Sequence, residues 1–119
     1  LMDYTDRLVL YDKEEQTILK VLKYADENYR DGSLTELASS LHYDFSWLSR
    51  EIKRKTGKTY TEIVQEKRLS QASFLLTNTD MNISDIANRV GYDNVSYFHR
   101  LFKKRFNMSP YKYKNSTPE

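Results

Sequence analysis

The stretch Ile83-Ser-Asp-Ile-Ala-Asn-Arg-Val-Gly-Tyr-Asp-Asn-Val-Ser-Tyr-Phe-His-Arg-Leu-Phe-Lys-Lys-Arg-Phe-Asn-Met-Ser-Pro110 decides the fold, because a weaker copy of it lies upstream. Leu34, Leu37, Ala38, Leu41, Tyr43 and Asp44 fall on Ile83, Ile86, Ala87, Val90, Tyr92 and Asp93 at an offset of 49 residues. Past the aspartates, Ser46-Trp47-Leu48-Ser49-Arg50 falls on Ser96-Tyr97-Phe98-His99-Arg100 at an offset of 50, so the second copy carries one extra turn residue. A duplicated unit accounts for coincident apolar positions better than chance does.

Each copy opens on a capping-box pattern, Ser33-x-x-Glu36 and Asn82-x-x-Asp85, whose side chains satisfy the free amides of a helix start. After about two turns the helical period is interrupted, by His42-Tyr-Asp in one copy and Gly91-Tyr-Asp-Asn94 in the other. Glycine suits the left-handed backbone at a helix end. A second helix follows in both, and two short helices joined by such a turn make a helix-turn-helix, whose second helix enters the major groove of DNA. Tyr43 and Tyr92 hold matched turn positions and are expected to set its geometry, with Asp44 and Asp93 as caps.

The second copy, through Gly91, Ser96-Tyr97-Phe98, Arg100, Phe102-Lys103-Lys104 and Ser109-Pro110, resembles the signature of the AraC/XylS family of bacterial transcription regulators. The resemblance runs from about Glu14 to Lys114 and includes Arg68-Leu69, Ala72 and Leu75-Leu76. It implies a DNA-binding domain, double-stranded DNA as partner, RNA polymerase as a second one, a cytoplasmic location and a role as activator or repressor. Pro110 matches the family position that starts a short closing helix, with Tyr111 or Tyr113 covering the second core. Asn107 stands where the family usually has glycine, and asparagine also tolerates a left-handed cap. The chain begins with Leu1, which hints at a fragment lacking an N-terminal effector or dimerisation domain of the kind common in that family.

Composition sets limits that agree. With 119 residues and 39% hydrophobic, the chain suffices for one domain, or for two small subdomains sharing a helix. Three glycines, two prolines and apolar spacing near 3.6 residues predict an all-α fold of about seven helices. The absence of cysteine excludes disulfides, thiolate chemistry and cysteine-ligated zinc. No apolar run approaches the roughly 20 residues of a membrane span, and no signal peptide is visible.

The organisation expected is residues 1–13 as linker or remnant of an upstream domain, 14–58 as the first helix-turn-helix subdomain, 59–77 as a connecting helix, 78–114 as the second subdomain and 115–119 as a frayed tail. In the first helix Ile18, Val21, Leu22, Ala25 and Tyr29 recur at helical spacing, with Asp31-Gly32 as the stop. Thr59 to Thr77 has no glycine or proline and reads as one helix spanning roughly 28 Å at about 1.5 Å per residue. That is near the roughly 34 Å repeat of the major groove, a length compatible with two recognition helices on adjacent groove segments.

In the first reading helix Leu48 and Ile52 should face inward, leaving Ser46, Ser49, Arg50 and Lys53 on another face. In the second, Phe98 and Phe102 face inward, leaving Ser96, His99, Arg100 and Lys103. Arg50 and Arg100 are the leading base readers, because a guanidinium pairs bidentately with guanine O6 and N7. Trp47 and Tyr97 flank the stripes, where an aromatic either meets a thymine methyl or sugar or serves packing. Lys53, Arg54, Lys103 and Lys104 suit phosphate, and Asn94 either caps its helix alone or also offers amides to a phosphate. The net charge is only +2, but basic residues cluster at equivalent places, Arg50 to Lys58 and Arg100 to Lys114.

Two other functions compete. An enzyme would have to use His42 or His99, which fall in different copies without an HExxH motif or phosphate-binding glycine loop, so no catalytic residue, metal or cofactor is assigned. A protein-interaction module contacting RNA polymerase or another acidic partner is the alternative, though it gives the matched arginines and lysines no reason to match.

Overall fold

The computed structural model describes residues 12–116, so most of the linker expected over 1–13 and of the tail expected over 115–119 lies outside the described residues; of the rest, Asp12 caps and Lys13 begins the first helix, and Asn115 and Ser116 end the last. Within them the fold is all α, with seven helices: α1 Lys13–Glu27, α2 Leu34–Ser40, α3 Phe45–Thr56, α4 Tyr60–Asn78, α5 Ile83–Val90, α6 Val95–Phe106 and α7 Pro110–Asn115. None of the described helices is long and apolar enough to cross a membrane. The described chain divides into two compact units. One holds α1 to α3 and the start of α4 to Ile63; the other holds the rest of α4, α5 to α7 and the short segment Tyr29–Asp31.

The first unit closes around Ile18, Val21, Leu34, Leu37, Ala38, Leu48 and Ile52, with Tyr24, Leu41, Tyr43, Trp47, Tyr60 and Ile63 packed on the outside. Helix α1 buttresses α3, as its apolar spacing suggests, but its buried face differs in detail. Thr17 joins Ile18, Val21 and Ala25 inside, while Leu22 stays exposed. A threonine can take that place because its hydroxyl is satisfied, donating to Lys13 O at 2.9 Å and meeting Tyr43 Oη at 3.0 Å. The helix also ends early, with Asn28 rather than Asp31-Gly32 as its C-cap. Gly32 is needed for another reason: a Cβ there would lie 2.7 Å from Asn28 O. Tyr29, counted on α1 by its spacing, packs instead on the core of the second unit.

The second unit is built on Leu69, Ala72 and Leu76 of α4, Ile86, Ala87 and Val90 of α5, Tyr92 of the turn, and Phe98 and Phe102 of α6. Phe106 and Tyr113 extend the aromatic stack, with ring centroids 4.5 Å from Phe102 for Phe106 and 5.3 Å for Tyr113. Of the two tyrosines expected to cover this core, Tyr113 does so and Tyr111 is exposed. Ser109 caps α7 by accepting from Lys112 N at 3.1 Å, and Pro110 takes the first helical position, where a missing N–H costs nothing.

Candidate nucleic-acid interface

Each unit presents a short helix, a tight turn and a second helix: α2 and α3 in the first, α5 and α6 in the second. The turns are built by the same bonds at matched positions. Tyr43 N donates to Ala38 O at 2.9 Å, and Tyr92 N donates to Ala87 O at 2.8 Å. His42 N donates to Ser39 O at 3.1 Å, and Gly91 N donates to Asn88 O at 3.0 Å. His42 and Gly91 both have positive φ, 61° and 113°. The histidine is therefore the geometric counterpart of the glycine.

The caps follow the expected positions with two exceptions. Ser33 Oγ accepts from Glu36 N at 3.1 Å and Asn82 Oδ1 accepts from Asp85 N at 2.8 Å. The Ser33 N–H, which a complete capping box would give to Glu36, donates instead to Tyr24 Oη at 3.1 Å, because the tyrosine of α1 reaches it first. Asp44 caps α3 through Trp47 N at 2.9 Å. Asp93 does not cap; the extra turn residue shifts that role to Asn94, whose Oδ1 accepts from Tyr97 N at 2.9 Å. Both second helices end on a left-handed residue, Gly57 at φ 79° and Asn107 at φ 60°, so asparagine fills the glycine position as expected.

Leu48 and Ile52, and Phe98 and Phe102, are fully buried, which turns the opposite faces of α3 and α6 outward. Ser46, Arg50 and Lys53 are exposed with Ser49 half-buried; Ser96, Arg100 and Lys103 are exposed with His99 half-buried. His99 sits edge-on to Phe98 with centroids 6.1 Å apart, so only part of its ring is open. The aromatics beside the stripes lean on the turn tyrosines: Trp47 stacks on Tyr43 at 5.0 Å, and Tyr97 meets Tyr92 edge-on at 6.0 Å. Trp47 is half-buried, whereas Tyr97 is 42% exposed. The Arg100 guanidinium lies 5.6 Å from the Tyr97 ring centre, a cation–π contact that narrows where the arginine can point.

The phosphate candidates part company. Lys103 and Lys104 are exposed and form no ion pair among the described residues. Lys53 donates to Gly57 O at 3.0 Å. Arg54 is held by carboxylates, with Nη2 bonded to Glu51 Oε1, Nε to Glu51 Oε2 at 3.2 Å, and Nη2 to Glu14 Oε2 at 3.2 Å. Glu51 is a buried acid three residues before Arg54 on α3, the spacing at which side chains on a helix meet, whereas the second carboxylate, Glu14, comes from α1 and no helical spacing reveals it. The hydrogen bond from Arg54 holds the Glu51 carboxyl below its ordinary range. A depressed carboxylate pKa adds stability above the ordinary carboxylate range and loses it as pH falls through the folded value. The thermal midpoint of the protein should therefore fall on acidification below about pH 4, and Glu51→Gln should flatten that fall; equal acid sensitivity of both proteins would refute the link.

Arg68 is among the positions that carry the family resemblance, but the sequence assigns it no role. Arg68 of α4 donates Nε to Tyr29 O at 2.7 Å and Nη2 to Arg30 O at 3.0 Å, and its guanidinium lies 5.1 Å from the Tyr92 ring centre. It thereby fastens the turn of the second helix-turn-helix from behind. Burial pushes the Tyr92 phenol pKa up, and Arg68 offsets part of that rise.

Comparison with known proteins gives this geometry its class. A helix-turn-helix domain family matches residues 37–116. A histidine kinase, P4, from Formosa agariphila is 35% identical over 108 residues, covering 89% of this chain but 8% of that protein. The HTH-type transcriptional activator RhaS from Yersinia pestis is 32% identical over 100 residues, covering 83% of this chain and 37% of that protein. Among solved structures, the C-terminal domain of AraT, a response regulator from Geobacillus stearothermophilus, matches with a TM-score of 0.81 and 29% identity over 91% of each chain. The chain belongs to the AraC-type helix-turn-helix family of DNA-binding transcription regulators. It spans well under half the length of the curated relatives it matches.

Proposed function

We propose that this chain is the sequence-specific, double-stranded-DNA-binding part of a bacterial AraC-type transcription regulator, each of its two recognition helices entering a major-groove segment. The observation that carries this is the repetition of one turn, bond for bond, ahead of two helices that bury one face and expose serine, arginine and lysine on the other. In this reading Ser46, Ser49, Arg50, Ser96, His99 and Arg100 meet base edges, and Trp47 and Tyr97 brace them. Lys53, Lys103, Lys104 and the remaining free amides at the start of the helix that Asn94 caps meet phosphate. The work needs no catalytic group, metal or cofactor, and it belongs in the cytoplasm. An upstream effector or dimerisation portion, and contact with RNA polymerase, would complete the whole regulator; the greater length of the relatives supports the first, and the word activator in the name of one of them supports the second.

Because Ser49 and His99 differ at matched positions, the two helices should prefer different bases, and duplexes selected from a randomised pool should share an asymmetric site. On that site Arg100→Ala should cost about 1–3 kcal/mol and relax preference at one position. Lys104→Ala should weaken all duplexes alike and reduce the salt slope by roughly one. Equal losses from both variants on every duplex, measured by fluorescence anisotropy, would contradict the assignment.

A further inference from the structure

The two reading helices treat equivalent cations differently. Arg54 and Lys104 correspond at the offset of 50, each four residues after the leading arginine of its helix. One turn of helix separates such positions, so both lie on the flank next to the base-reading stripe, within reach of a phosphate alongside the groove. Lys104 has no ion pair among the described residues, and the position three before it is Leu101. Arg54 has Glu51 three residues before it and Glu14 across from it on α1. The Glu51 side chain is only 9% exposed, whereas those of Arg54 and Glu14 are 58% and 50% exposed. The guanidinium is therefore open to solvent while its donors point at carboxylates.

We propose that Glu51 and Glu14 act as an internal stand-in for a DNA phosphate, holding Arg54 off the backbone and setting the affinity of the first helix-turn-helix below that of an uncompensated copy. This rests on the DNA-binding reading above. A carboxylate pair and a phosphate offer a guanidinium the same bidentate acceptor geometry, so the two compete for one side chain. The competition needs no movement of α3. Glu14 lies in the first turn of α1, so any event that draws Glu14 away weakens the internal site and releases a cation to DNA. Glu51 and Glu14 are thus positioning residues for Arg54, acting on affinity and not on base preference.

The test is the salt dependence of duplex binding, by anisotropy between about 50 and 200 mM salt, where each neutralised phosphate contributes a slope of about −0.9. Glu14→Gln combined with Glu51→Leu, the residue that the second copy carries, should steepen the slope by about one phosphate and tighten binding several-fold. Glu51→Gln alone, which keeps the side-chain shape, should move it the same way by less. Arg54→Ala should leave the wild-type slope unchanged and cancel the gain of the double variant. Circular dichroism establishes that each variant is folded, and Glu15→Gln measures the effect of losing one negative charge nearby without touching Arg54. A gain that survives Arg54→Ala, a gain matched by Glu15→Gln, or a flatter wild-type slope in Arg54→Ala would overturn the proposal. The slopes are read on any duplex that binds, so absence of sequence preference would sink the specific-regulator reading while leaving this comparison decisive. No binding to any duplex would end both.

Discussion

Phe102→Ala is expected to destabilise the second unit by about 3–5 kcal/mol, the range for deleting a fully buried aromatic ring. The ring has no exposed surface and touches three others: Phe98 at 5.7 Å, Phe106 at 4.5 Å and Tyr113 at 5.3 Å between centroids. Those neighbours come from α6 itself and from α7, so a cavity there loosens both the reading helix and the short helix that closes over it. At roughly 4–8 °C per kcal/mol for a domain of this size, the thermal midpoint should drop by more than about 12 °C. Hydrogen exchange should show the loss in the amides of α5 to α7. Phe102→Leu should recover much of it, since most of the volume returns. A drop of only a few degrees for the alanine variant would mean that the core of this unit collapses around the gap, which its interlocked rings argue against.

The same aromatic positions explain why the fold was readable from the sequence. Helix existence followed from the apolar period, and its phase fixed the inward faces of α3 and α6, because a helix with only one apolar stripe can bury only that stripe. The turns were readable from Gly91 and from the internal repeat. Without the repeat, His42 is not legible as a turn residue, since a positive φ is uncommon in any residue but glycine. Boundaries were less legible. Nothing local distinguishes Asn28 from Asp31-Gly32 as the end of α1; the residue after the cap, Tyr29, packs on the second core, a tertiary contact that spacing does not reveal. The burial of Thr17 is hidden from the sequence for a related reason, as it goes with a hydroxyl partner, Tyr43, 26 residues away.

For the interface, the outward residues were legible and their partners were not. Periodicity places Ser46, Arg50, Ser96 and Arg100 on exposed faces, and the structure leaves them there. It does not say that Arg100 will rest against Tyr97, or that Arg54 will be held by a glutamate of another helix. Long side chains choose among acceptors within their reach, and that choice is a property of tertiary packing. Asp93 shows the opposite limit. A single extra residue in a turn moved the cap to Asn94, although both side chains are able to cap.

Gly91→Ala should be nearly as damaging as the loss of Phe102, although it adds one methyl group and removes nothing. At φ 113° an L-residue is strained, and a left-handed conformation costs about 1–2 kcal/mol even in its better-populated region. The new Cβ would also stand 2.8 Å from Arg68 Cζ and Nε. An arginine usually yields to such a contact, but this one is pinned by hydrogen bonds to Tyr29 O and Arg30 O and lies over Tyr92. Displacing it forfeits charged hydrogen bonds worth about 1.5–3 kcal/mol, so the total should be about 3 kcal/mol or more. The two contributions separate in a double-mutant cycle. In an Arg68→Ala background only the backbone strain remains, and Gly91→Ala should cost less there than in the wild type. At His42 the matched position has φ 61°, inside the region that non-glycine residues tolerate, so His42→Gly should leave stability unchanged or raise it slightly. Additive costs for Gly91→Ala and Arg68→Ala would show that the arginine swings aside freely, and its place behind the second helix-turn-helix would then be packing without a fastening role.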